Sequence, residues 1–168
     1  MQLTDARTYL MRMSTQFLTL SLTSPEQTTR TARDLGVVLR NGDTILLTGD
    51  VGAGKTHFAR SLIQSLLTTP EDVPSPTFTL VQTYETPQGQ IWHADLYRLS
   101  SSIEVEELGL TDAFDTSICL VEWPDRLGNL RPADALDLSF ETTGDDTRRL
   151  TARWTDAKWS EKLDVLRK

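Results

Sequence analysis

The sequence predicts an α/β fold of three layers, a mixed central sheet flanked by helices. Three observations carry that prediction. Thr44-Ile45-Leu46-Leu47-Thr48 is a continuous apolar run of the kind found in strands buried on both faces, and it leads through a glycine-rich loop into a segment of helical period. Two pairs of strand-like segments, 78–84 with 91–96 and 136–141 with 148–154, are each joined by a turn-rich connection suited to an antiparallel hairpin. Other segments of helical period lie between strands, as crossover connections do.

The first strand falls in 15–22, where Leu18, Leu20 and Leu22 alternate with Thr19 and Ser21. Ser24-Pro25-Glu26-Gln27 then supplies an N-cap, a proline at the first helical position and a capping-box glutamine. Ala32, Leu35 and Leu39 form the apolar face of that helix up to the turn Asn41-Gly42-Asp43, which feeds the strand at 44–48. After the glycine loop, Phe58, Leu62 and Leu66, widened by Ala59, Ile63 and Leu67, define a helix that ends before Pro70. The prolines of Val73-Pro74-Ser75-Pro76-Thr77 forbid helix and hold that stretch extended. The first hairpin follows, turning through Glu85-Thr86-Pro87-Gln88-Gly89-Gln90, and Ser101-Ser102-Ile103-Glu104 reads as a capping box for a short helix toward Leu108 and Gly109. Ile118-Cys119-Leu120-Val121 is the next buried strand, the second hairpin turns at 142–146, and Trp159, Leu163 and Leu166 share one face of a last amphipathic helix.

With 168 residues, 38% of them hydrophobic, the chain holds one good core, so a single domain is expected over 14–168. Residues 1–13 show no element pattern and are expected to form a disordered extension, with Met13 a candidate natural start. The net charge of −7 argues against a broad nucleic-acid surface, which needs clustered Lys and Arg. The single Cys119 sits in an apolar run, has no disulfide partner within the chain and suits a reducing cytoplasm. No apolar stretch approaches the roughly 18 residues of a membrane span, and 1–13 lacks a signal-peptide apolar region.

The glycine loop carries the chemistry. Gly49-Asp50-Val51-Gly52-Ala53-Gly54-Lys55-Thr56 fits G-x-x-x-x-G-K-[ST] at every fixed position, between strand and helix, where a phosphate loop must lie. Its glycines let backbone N–H groups turn around phosphates, Lys55 reaches β/γ oxygens, and the Thr56 hydroxyl ligates Mg2+. A P-loop NTPase-like fold follows. No N-K-x-D segment is present to read guanine, so ATP is the expected nucleotide. Glu122 ends a buried strand on the side where open α/β sheets bind ligands, and is the leading magnesium acid. Asp95 is either a turn-capping aspartate or one that holds a metal-bound or attacking water. Thr77 is a turn threonine or a γ-phosphate sensor, and Trp123 either packs near the nucleotide or fills core. His57 and His93 are too few for zinc and are expected to be packed or hydrogen-bonded. Arg98, Arg126, Arg131, Arg148 and Arg149 are candidate phosphate or partner contacts.

Taken with the loop, Ser75-Pro76-Thr77-Phe78-Thr79-Leu80-Val81, His93-Ala94-Asp95-Leu96-Tyr97-Arg98 and Leu120-Val121-Glu122-Trp123-Pro124 resemble, in order and spacing, the bacterial TsaE (YjeE) family. The resemblance runs from the first strand to about Arg149. It implies a Mg2+-dependent ATPase that supports threonylcarbamoyladenosine formation on tRNA. Such a protein works with TsaD and TsaB, resets their complex between turnovers and meets tRNA only through them. It further implies that Asp50, Val51, Gly52, Ala53, Gly54, Lys55 and Thr56 hold the nucleotide, helped by Thr77, Trp123 and Arg149. Thr56 and Glu122 then bind the metal, and Lys55, Asp95 and Glu122 serve catalysis. His57 departs from the second threonine common after Lys-Thr, and Asp145 and Asp146 make the late turn acidic. Two rivals built on the same loop are a small-molecule kinase and a nucleotide-gated binding module with little turnover.

Overall fold

The computed structural model describes residues 14–167, so the extension expected at 1–13 lies outside the described residues. The strands are β1 (Gln16–Leu22), β2 (Thr44–Thr48), β3 (Val81–Thr86), β4 (Gly89–Asp95), β5 (Ile118–Glu122), β6 (Leu136–Thr142) and β7 (Arg148–Trp154). The helices are α1 (Pro25–Val38), α2 (Lys55–Leu66), α3 (Ser102–Glu107), α4 (Leu110–Thr116) and α5 (Ala157–Lys162), with 3₁₀ turns over Pro124–Leu130 and Leu163–Leu166. All seven strands join one sheet in the order β1-β7-β6-β2-β5-β4-β3. The central pairs β6·β2, β2·β5 and β5·β4 are parallel, whereas β1·β7, β7·β6 and β4·β3 at the margins are antiparallel. The expected mixed sheet of an α/β fold is what the chain forms.

Alternation along β2 and β5 explains the three layers. Ile45, Leu47, Ile118 and Leu120 face α1, α2 and α5, while Leu46, Cys119 and Val121 face α3, α4 and the 124–130 turn. Each such side chain fully withdrawn from water contributes about 1.5–3 kcal/mol, so these two strands are fixed at the centre. The helix ends are fastened by side chains. Ser24 Oγ accepts from the Gln27 N–H at 3.2 Å, and Gln27 Oε1 accepts from the Thr23 N–H at 2.9 Å, one residue earlier than a regular capping box. At the other end of α1, Gln88 Nε2 reaches across from the β3–β4 turn to the carbonyls of Gly36, Val37 and Leu39 at 2.9–3.2 Å.

The structure departs from sequence expectation in five elements. β3 begins at Val81 rather than Phe78, because 76–79 forms a turn closed by the Leu80 N–H on Pro76 O at 2.7 Å, with Leu80 at φ 69. Ser101 makes no side-chain cap; Glu104 accepts instead from the Ser100 N–H at 2.9 Å. α4 and the 3₁₀ turn after β5 carry no expected signal and cover the second face of the sheet. The last helix breaks at Lys162 into a 3₁₀ turn, yet Trp159, Leu163 and Leu166 are all buried as their spacing requires. Among the described residues, no helix is long and apolar enough to cross a membrane.

Candidate functional site

The carboxyl ends of β2, β4 and β5 bring the site together. Register pairs Leu47 with Glu122 and Asp95 with Glu122, and His93, two residues before Asp95, lies on the same face. The loop from Gly49 to Gly54 leaves β2 and opens α2. Gly49 has φ 148, and a Cβ there would stand 2.6 Å from the Phe140 carbonyl, so a larger residue displaces either the loop or β6. Ala53 N–H donates to Asp50 O at 3.0 Å and tightens the turn.

Arg148 braces this loop from behind. Its Nε donates to Ala53 O at 3.1 Å and its Nη2 to Gly52 O at 3.2 Å, while Nη1 binds the carbonyls of Gly144, Asp145 and Thr147 at 2.8–3.2 Å. The Gly54 N–H lies trans to the Ala53 carbonyl across one planar peptide and so points away from the arginine, as an anion-binding loop requires.

Lys55 is 5% exposed and curls back over the loop, donating from Nζ to Gly49 O and, at 3.0 Å, to Asp50 O. The same ammonium stands 4.4 Å from the Trp123 ring centroid. Burial lowers its pKa, opposed by the negative charges of Glu122, Asp95 and Asp50. Thr56 Oγ1 donates to Glu122 Oε1 at 2.7 Å, and the other carboxylate oxygen, Oε2, meets His93 Nε2 at 2.8 Å. Asp95 is held at both oxygens, Oδ1 by the Tyr97 N–H at 2.9 Å and Oδ2 by Thr77 Oγ1 at 3.4 Å. Trp123 adopts φ 57, which turns its ring against Tyr97 with centroids 4.9 Å apart.

These groups line a cavity of about 450 Å³, formed by Val51, Gly52, Gly54, Lys55, Thr56 and His57 and by Thr77, Asp95, Tyr97, Glu122 and Trp123. Among the described residues no cluster of three or more His, Cys, Asp or Glu forms an all-protein metal cage. One hydroxyl and one or two carboxylates beside a phosphate loop fit Mg2+, which keeps water ligands and shares substrate phosphates.

Residues 22–150 match the family described as Threonylcarbamoyl adenosine biosynthesis protein TsaE. The chain belongs to the TsaE family. It is 39% identical over 127 residues to the tRNA threonylcarbamoyladenosine biosynthesis protein TsaE of Rickettsia bellii, covering 76% of this chain and 88% of that protein. The protein of the same name from Bacillus subtilis is 36% identical over 129 residues, 76% of this chain and 80% of its own. Among solved structures, that of YdiB from Bacillus subtilis superposes with a TM-score of 0.76 at 26% identity, covering 92% of this chain and 97% of the other.

Within this TsaE-family fold, the residues expected from sequence divide into three groups. Lys55, Thr56, Thr77, Asp95, Glu122 and Trp123 converge on the cavity with Val51, Gly52 and Gly54. Asp50 and Ala53 act through their backbone, as an acceptor for Lys55 and an acceptor for Arg148. Arg149 is not brought there; it pairs with Glu141 at 2.9 Å in an exposed position. Strand parity is the reason: Arg148 shares a face with Leu150, Ala152 and Trp154, which pack toward α1 and α2, and Arg149 takes the opposite face. Period-two reading of β7 was the signal that selects Arg148. The same parity in His93-Ala94-Asp95 places His93 beside the site, and Tyr97 joins it by following Asp95 out of β4.

Proposed function

We propose that the protein is a Mg2+-dependent ATPase that supports threonylcarbamoyladenosine formation on tRNA by acting on a TsaD–TsaB complex between turnovers. The observation that carries this reading is the 2.7 Å contact between the phosphate-loop hydroxyl of Thr56 and the strand-end carboxylate of Glu122, with Asp95 in register beside it. Family membership supplies the tRNA-modifying role; TsaD, TsaB, ATP and Mg2+ are the finer part of the proposal. A cytoplasmic location goes with a tRNA substrate.

In this reading the backbone of 49–56 takes the triphosphate, and Lys55 exchanges the carbonyls of Gly49 and Asp50 for phosphate oxygens. The oxygens of Thr56 and Glu122 would hold Mg2+, which would supply positive charge to offset that of the phosphates. Asp95, fixed at both of its own oxygens, orients a water for attack on the γ-phosphorus. The water oxygen bonds to the γ-phosphorus as the bond to the β-phosphate oxygen breaks, giving ADP and phosphate, and the proton released passes to solvent. Trp123 and Tyr97 wall the cavity and reduce access of bulk water. The acidic chain suits docking on protein partners that themselves hold the tRNA.

Reconstitution tests this directly. TsaD, TsaB, tRNA and the threonylcarbamoyl donor are combined with and without the protein, and product is counted over many turnovers. Product beyond the first turnover that needs both the protein and hydrolysable ATP supports the proposal. No effect of either refutes it, and ATP-dependent partner binding without hydrolysis favours the nucleotide-gated module.

A further inference from the structure

We infer that His93 is a positioning residue for Glu122, holding one carboxylate oxygen so that the other is presented beside Thr56 for a divalent cation; this rests on the magnesium role given to Glu122 above. His93 is 0% exposed and Glu122 1%, so neither can turn to water for a hydrogen bond. Across the boundary of β4 and β5, His93 Nε2 stands 2.8 Å from Glu122 Oε2, while Thr56 Oγ1 stands 2.7 Å from Oε1. The carboxylate is therefore gripped from both sides, and its rotation about the terminal torsion, otherwise soft, is fixed.

The other ring nitrogen decides which way the imidazole works. His93 Nδ1 is buried and has no hydrogen-bond partner. A proton on Nδ1 would be an unmatched buried donor and would leave Nε2 facing a carboxylate lone pair to lone pair. The proton is therefore placed on Nε2, and the ring donates to Oε2. An apolar residue of similar size would fill the same space between the strands. A histidine with one orphaned nitrogen is a poor choice for packing alone, because the unpaired atom destabilises the fold. Its N–H toward Glu122 is what the position gains. Hydrogen-bonded partners behind metal-binding side chains typically change metal affinity by about 10–100-fold when removed.

The test compares His93→Leu, which keeps bulk and removes the donor, with His93→Gln, whose amide nitrogen falls near the place of Nε2. Mn2+ binding in the presence of a non-hydrolysable ATP analogue is followed by electron paramagnetic resonance. Analogue binding without metal is followed by equilibrium dialysis, and thermal melting confirms that each variant is folded. Half-saturating Mn2+ is expected to rise about tenfold or more in His93→Leu and to return to within about threefold of wild type in His93→Gln. Metal-free analogue affinity is expected to stay within about twofold throughout, a split that general damage to the fold would not produce. Unchanged Mn2+ binding in folded His93→Leu, or equal losses with and without metal, overturns the inference. Should His93→Leu not fold, His93→Asn, whose shorter amide cannot reach Oε2, takes its place under the same criteria. Failure of the wild-type protein to bind Mn2+ with the analogue overturns the proposed function and this inference together. Wild-type behaviour in the donor-less variant overturns this inference alone.

Discussion

Glu122 receives the hydroxyl of Thr56 on one oxygen and the imidazole of His93 on the other, and lies in register with Asp95. A single carboxylate thus joins the phosphate loop to two strands. Glu122→Ala is expected to leave the protein folded and to lower ATP turnover by about 100-fold or more, a typical loss for a preorganised charge-stabilising group. Wild-type turnover in the folded variant removes the magnesium role from Glu122. At Lys55 the expected loss comes earlier: Lys55→Ala forfeits nucleotide binding itself, read by equilibrium dialysis, since it removes the ammonium that the loop holds at Gly49 O and Asp50 O in place of phosphate oxygens. Arg148 makes a sharper prediction. Its guanidinium satisfies carbonyls on both the phosphate loop and the β6–β7 turn, so Arg148→Ala should weaken nucleotide binding by about tenfold or more, and by much more than Arg149→Ala. Equal effects at the two positions would contradict the assignment by strand parity.

At the scale of elements, the helix α1, which packs on α2, depends on a remote clasp. α1 ends with its last carbonyls received by Gln88, which sits at the amino end of β4, away from Asp95. Gln88→Ala is expected to lower stability by about 1–2 kcal/mol and the melting temperature by a few degrees, with nucleotide affinity unchanged, measured by calorimetry and dialysis on the same preparation. Elements with their own local signals were readable from sequence. β2 and β5 are continuous apolar runs, α1 opens on Ser24 and Pro25, and α2 repeats its apolar face cleanly. α4 was hidden because its N-cap is Gly109 in the left-handed region, with no capping side chain, so Leu108-Gly109 reads as a helix stop. The shift of β3 has the same origin: Leu80 at φ 69 is a conformation that no composition rule assigns to leucine. In the site, Lys55, Thr56 and Glu122 were legible because the loop pattern and the strand end place them. Arg148 and His93 were harder, since their partners are a carbonyl 95 residues away and a carboxylate 29 residues away.

The molecule as a whole hides its one thiol between layers. Cys119 is fully buried in β5, and burial pushes its pKa from 9.0 up to about 12. The thiol therefore stays neutral in the folded protein while the unfolded chain ionises near pH 9. A raised folded pKa means stability that is intact below pH 9 and declines as pH rises toward 12, by up to about 1.4 kcal/mol per pH unit. Denaturant midpoints for wild type and Cys119→Ala, compared at pH 8 and pH 10.5, should show a larger alkaline loss in the wild type, because the raised pKa values of Tyr84 and Lys158 act in both proteins; parallel curves would contradict it. Sequence conveyed that the sheet is mixed, yet the strand order rests on pairings between distant segments that no local pattern encodes. That order has a consequence for a chain emerging from the ribosome. β2, which leads into the loop at 49–56, is made before both of its neighbours, β5 and β6, and β1 must wait for β7. The nascent chain can pair β3 with β4 locally, while the loop at 49–56 gains a strand on each side of β2 only after β6 is made, so products truncated before β6 are expected to lack an ordered loop there.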